Sequence, residues 1–365
     1  MRANVMVALG IAFAAAAGLA ARAPQATRPG LNLQAARDPR YAEVIAKCRM
    51  PSATGGGPGA AGRGVAQPGA RRGAAPAAPT GSAEFTVTKI PGVIAADQRW
   101  TSVWQTEGNN ADGVIASDDG GLLIAQNDNG VVLKLDAKGQ VSVVYRDTNT
   151  GGALTMSSKG ALFVASRGIG TAVLQLAPQR RVFANSYRGE PLECLGGVLN
   201  DVTADSKGGV YVTLGGGLYY ADPKGVVTSY GENLRTNGVI LSPDEKTVYV
   251  TNQASIAAFD VRPDGSLASQ REFAKLPAGA GDGLAVDAAG RLYATVGGGP
   301  GGAPGLYVFA ADGKQLGHIP SPRNLVTAAF SGPGKETLYA VANDLVKVDV
   351  YSIPMIAQGY TGRAK

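Results

Sequence analysis

Three short polar pairs mark where this chain could do chemistry: Asn200-Asp201, Asn237-Gly238 and Asp282-Gly283. They lie in LNDVTADSKGGVYVT, TNGVILSPDEKTVYVTN and GDGLAVDAAGRLYATVG. Each stretch runs from the polar residue through a mostly apolar run to a turn, then into strand-like alternation. Counting back five residues from the first turn residue (Asp205, Ser242, Asp287) reaches Asn200, Asn237 and Asp282. Taken singly, Asn-Gly and Asp-Gly are ordinary turn dipeptides. A shared register is more informative, because repeats arranged around an axis carry equivalent residues to one place. Carboxamide and carboxylate oxygens gathered there suit a hard divalent cation. Ca²⁺ fits best, then Mg²⁺ or Mn²⁺, with Zn²⁺ the remaining alternative.

Composition narrows the chemistry further. The chain holds one histidine, His318, in the strand-like context QLGHIP. A His-rich zinc or iron site is therefore excluded, as is a Ser-His-Asp or Cys-His mechanism unless His318 is central. Neither CxxC nor CxxCH occurs, so dithiol and c-type haem readings have no support. The net charge of +6 belongs to the N-terminal part. Residues 1–84 carry 10 Lys/Arg against 3 Asp/Glu, and residues 85–365 carry 24 against 25. The main body offers no basic face for nucleic acid.

Internal repetition supplies the elements that would position the oxygen ligands. Turn-plus-strand units begin at 117, 157, 205, 242, 287 and 331, spaced 37 to 48 residues apart. Each carries a second hairpin-like element, as in GVVLKLDAKGQVSVVY and GLYVFAADGKQLGHI. Four strands per unit make a propeller blade, so the expectation is an all-β, six-bladed β-propeller over residues 84–352. EFTVTKIPGV, residues 84–93, is placed to complete the last blade and close the ring. Trp100 and Trp104 are read as packing residues beneath the first blade.

Outside the repeats the chain reads differently. Residues 1–23 have a basic start, an apolar run and an Ala21-Arg22-Ala23 site, which is the grammar of a secretory signal. Export to the periplasm or medium follows, with no stable membrane insertion. Residues 24–50 form a short segment with an amphipathic helix within 32–50 that places Tyr41, Val44 and Ile45 on one side. Residues 51–83, rich in Gly, Ala, Pro and Arg, read as a disordered linker, and residues 353–365 as a C-terminal tail. Cys48 and Cys194 are the two cysteines, and a disulfide between them would pin the N-terminal segment to the body.

The three motifs, together with GLYVFAADGKQLGHIPSPRNLVTAAFSGPGKETLYAVA, make residues 95–350 resemble the SMP-30/gluconolactonase/LRE-like family of six-bladed propellers. The resemblance implies a divalent metal on the axis and hydrolysis of sugar lactones or related esters. It places metal-binding roles on Asn237 and Asp282, with Asp282 also the base, and sets Asn200-Asp201 facing substrate. For the acidic ligand from the first blade, register favours Asp112 and residue type favours Glu107. Sugar-lactone members often carry an arginine two residues before the Asn of Asn-Asp, where this chain has Val198. The bidentate grip of that arginine on substrate oxygens is therefore lost, which argues against gluconolactone, and the expected substrate is a small lactone or related ester. A non-catalytic module that binds a small ligand or protein is the second reading. Carbon–nitrogen chemistry like that of strictosidine synthase is a third.

Overall fold

The computed structural model describes residues 38–49, 85–298, 302–363 and 365. The expected signal segment and linker lie outside these residues. The repeats fold as six four-stranded antiparallel sheets, each with its first strand innermost. These inner strands are Gly113–Ala116, Leu154–Met156, Leu199–Ala204, Thr236–Leu241, Gly281–Val286 and Leu325–Ser331, defining blades 1 to 6. Each contacts the next, and the sixth contacts the first, so the ring is closed. Closure covers the two apolar blade faces that an open stack of the same repeats would leave exposed.

The core is six apolar clusters, one between each pair of neighbouring blades. Strand alternation produces this directly. In blade 4, Val239 and Leu241 face blade 3 while Ile240 faces blade 5. Tyr211 and Tyr293 are fully buried in equivalent positions of blades 3 and 5. Each large apolar side chain so buried contributes about 1.5–3 kcal/mol.

Turn chemistry sets the register. Asp205 Oδ1 accepts from the backbone N–H of Lys207 (2.9 Å) and Gly209 (2.7 Å). Asp287 Oδ1 does the same for Ala289 (3.0 Å) and Arg291 (2.9 Å). Because these carboxylates lock the turns that follow the inner strands of blades 3 and 5, the residue five positions earlier is held at the opposite end of each strand.

Ring closure differs from expectation. The fourth strand of blade 6 is Thr101–Glu107, pairing with Lys347–Pro354, and not residues 84–93. Pro91 and Gly92 turn the earlier stretch back on itself through an Ile90–Ile94 bridge. That loop buries Val87, Ile90, Val93 and Ile94 against blades 5 and 6. Trp100 packs there too, its indole N–H donating to the Pro320 carbonyl at 2.7 Å, whereas Trp104 packs between blades 6 and 1.

A six-residue helix, Tyr41–Ala46, stands outside the ring with none of its residues buried. It is fastened by a Cys48–Cys194 disulfide to the short 3₁₀ turn Leu192–Leu195 between blades 2 and 3. Beyond Pro354 the chain crosses the turn side of the propeller. Gly359 bridges to Asp287, Arg363 donates to the Leu241 and Ser242 carbonyls, and Lys365 enters the axis.

Candidate axial site

Asn200, Asn237 and Asp282 sit at the start of three successive inner strands, each at an irregularity in the ladder. Pairing runs Leu199↔Leu214 then Asp201↔Thr213, leaving Asn200 as the extra residue of a bulge. Asn237-Gly238 and Asp282-Gly283 occupy the same place in blades 4 and 5. A bulge turns a side chain out of the sheet's alternation and re-aims it, here toward the axis. The dipeptides that read as turn signals are thus strand residues. Their glycines answer a close approach of neighbouring strands: a Cβ on Gly283 would stand 2.7 Å from the Val326 carbonyl oxygen.

A threonine of the second strand braces each bulge, which motif reading did not single out. Thr251 Oγ1 accepts from the Gly238 N–H at 2.7 Å and donates to the Asp282 carbonyl of the next blade at 3.0 Å. Thr213 accepts from the Asp201 N–H at 3.0 Å and donates to the Asn237 carbonyl. Thr295 lies 3.1 Å from the Gly283 carbonyl and 3.2 Å from that of Val326. The signal was present as the repeated VYVT, VYVT and LYAT. Thr251→Val should cost about 1–3 kcal/mol, because it leaves a buried N–H unpaired. Urea denaturation measures this, and a wild-type midpoint would remove the threonine from the site's support.

The axial groups form one electrostatic unit. Burial, and then the Asp112 and Asp201 carboxylates, push the Asp282 carboxyl well above the usual carboxylate range, against the opposing pull of Arg167 and of a hydrogen bond from Asn237. Asp112 is therefore the first-blade acid at the axis. Glu107 is not brought there: it ends the outermost strand of blade 6, exposed and paired in register with Lys347. Register decided the matter because the inner strand begins only at Gly113.

Asp201 is placed differently from the substrate-facing role expected of it. Its Oδ1 accepts from its own neighbour Val202 N–H at 2.9 Å. Its Oδ2 accepts from Val239 N–H of blade 4 at 2.8 Å and is ion-paired with Lys365. Lys365, its side chain only 3% exposed, also donates to the carbonyls of Val202 and Val239. Asp201 thus joins two inner strands to the C-terminal segment, deeper in the axis than Asn200.

Arg167 was not anticipated. It follows the second strand of blade 2, and its side chain is 2% exposed. Nε donates to the Leu199 carbonyl at 2.8 Å, Nη1 pairs with Asp112, and Nη2 donates to the Asn200 carbonyl, with the Asn200 carboxamide oxygen 3.4 Å away. In blade 2 the residue five before the turn is Gly152, and a Cβ there would lie 1.9 Å from the Arg167 guanidinium carbon. The missing side chain is the room the arginine fills. His318, by contrast, stands on the outermost strand of blade 5, its ring stacked on Tyr307 at 4.3 Å.

Among the described residues, no three His, Cys, Asp or Glu side chains are placed to share a metal ion. Any cation on this axis must use carboxamide oxygens as well. The donor set fits such an ion: Asp282, Asn237 and Asn200 present hard oxygens, and like-charge pressure on Asp282 is what a divalent cation relieves.

A family model described as SMP-30/gluconolactonase/LRE-like region matches residues 142–343. A gluconolactonase from Zymomonas mobilis is 27% identical over 299 residues, covering 70% of this chain and 80% of that protein. Among solved structures, a gluconolactonase from Xanthomonas campestris superposes with a TM-score of 0.58 at 23% identity, covering 71% of this chain and 90% of the other. Regucalcin from Agrobacterium tumefaciens, described as a calcium-binding protein, gives 0.55 at 17%, covering 72% and 98%. At these identities the structures speak for the propeller fold.

Proposed function

The chain belongs to the SMP-30/gluconolactonase/LRE-like family, and from that premise we propose that it is a metal-dependent hydrolase of lactones or related cyclic esters. One observation carries the reading: Asp282, a carboxylate pressed by two others, takes a hydrogen bond from Asn237, and Asn200 holds the same bulge position in the preceding blade. These three residues would hold the ion. When bound, a divalent cation supplies polarisation of the ester carbonyl and a more acidic water. Asp282 takes the proton from the attacking water, and the proton passes to the ring oxygen as the carbon–oxygen bond breaks. Asn200 and Asn237 orient the substrate oxygens through their amides, and the apolar blade contacts beneath exclude bulk water.

The similarity to gluconolactonases supports the lactone assignment, and the regucalcin neighbour supports Ca²⁺. A lactone panel assayed with chelator tests it: opening of at least one lactone should vanish on chelation and return with Ca²⁺. Bound metal without turnover on any lactone would favour the non-catalytic reading, to which Val198 points by leaving no arginine before Asn200. We also assign the chain to an exported compartment. Residues 1–23 support this by pattern, and the Cys48–Cys194 disulfide suits an oxidising environment. Fractionation of the producing cells is the check.

A further inference from the structure

We infer that Arg167 is a tethered counter-cation that withholds Asp112 from the axial metal, leaving a site with one available carboxylate whose Ca²⁺ affinity rises when the arginine is removed. The inference rests on the reading that the axis takes a divalent ion.

Six residues occupy the register five before the turn: Asp112, Gly152, Asn200, Asn237, Asp282 and Val326. Two of them are carboxylates, and each would count toward a hard cation. Asp112 lies next to the blade whose register residue is glycine. Arg167 fills that gap, and its guanidinium ends between Asp112 and Asn200. The ion pair with Asp112 is nearly closed to solvent on the arginine side. Asp112's Oδ2 is thereby engaged by Nη1, and a positive charge stands beside the amide oxygen of Asn200.

The guanidinium is held from three sides. Nε is committed to Leu199 and Nη2 to Asn200, so the side chain cannot swing away without leaving two inner-strand carbonyls unpaired. Asp201 is matched in the same fashion by Lys365 deeper in the axis. Of the three axial carboxylates, only Asp282 lacks an ion-pair partner among the described residues. Ligand charge count and site rigidity set Ca²⁺ affinity over several decades. A site that keeps one of its carboxylates in an ion pair therefore binds more weakly than its residue list implies.

Calorimetric titration of the metal-free, full-length protein with CaCl₂ tests this without reference to activity. Arg167→Met keeps the stem volume and removes the charge. It should bind Ca²⁺ at least about tenfold more tightly than wild type, and Arg167→Lys should fall between, since it keeps the charge but cannot fork. Adding Asp112→Asn to Arg167→Met should abolish the gain, a coupling that a merely structural arginine would not produce. If Arg167→Met does not fold, as judged by circular dichroism, the lysine variant carries the comparison. Wild type binding Ca²⁺ with neither Arg167 variant binding more tightly overturns the inference and leaves the proposed function standing. Binding by the variants alone supports the inference and removes the metal from the wild-type mechanism. No binding by any of them overturns both.

Discussion

Asp282→Asn should lower lactone turnover by about 10²–10⁴-fold, the range expected for losing a positioned general base, and should at the same time stabilise the metal-free protein. The two effects share one cause. In the folded chain the Asp282 carboxyl is raised well above its ordinary value, first by burial and then by Asp112 and Asp201. Between the ordinary carboxylate range near pH 4 and that raised value, the unfolded chain has released this proton and the folded chain still holds it. Stability therefore falls as pH rises through that window and is fully retained below it. Asparagine removes the charge and with it the slope, so the metal-free variant should outlast wild type as pH rises through that window. Thermal unfolding in chelator across the acid-to-neutral range reads this directly. An Asp282→Asn protein with the same pH slope as wild type would place the strain elsewhere. Added Ca²⁺ should restore much of the wild-type loss at neutral pH by binding only the folded, deprotonated site.

Gly238→Ala should cost at least about 3 kcal/mol of stability. A Cβ on Gly238 would stand 2.3 Å from the Asp282 carbonyl oxygen and 3.0 Å from Gly283 Cα, both backbone atoms of the next blade. Backbone held in a closed ring cannot retreat as a flexible side chain would. Blade 5 must then shift, and Asp282 with it, so activity falls alongside stability. Gly297→Ala is the comparison, because its nearest neighbours are Asn324 side-chain atoms at 3.7 Å and more, an ordinary contact. Urea denaturation of the pair should separate them clearly. Equal midpoints would mean the ring has slack that the close approach conceals.

Much of this architecture is legible from local signals. Asp205 and Asp287 fold turns with their own side chains, and strand alternation dictates which neighbouring blade Val239 and Ile240 will meet. Both depend on residues within a few positions of one another, so repetition along the chain exposes them. The offset of five that picked out Asn200, Asn237 and Asp282, and Asp112 over Glu107, has the same origin: a locked turn fixes the far end of a short strand.

What local pattern could not supply is the identity of groups that reach the axis from outside the register. Arg167 comes from a second strand, and its place is visible only once Gly152 is seen to leave a hole beside Asp112. Lys365 arrives from the end of the chain to pair with Asp201, some 160 residues earlier, turning an expected substrate contact into an internal one. The closing strand is Thr101–Glu107 because Pro91-Gly92 folds the preceding stretch into the core under blades 5 and 6. Periodicity along the chain therefore determined the blades, the turns and the oxygen-bearing residues of the register. Closure of the ring alone decided which charges those residues face, since Coulomb interactions follow distance in space and take no account of separation in sequence.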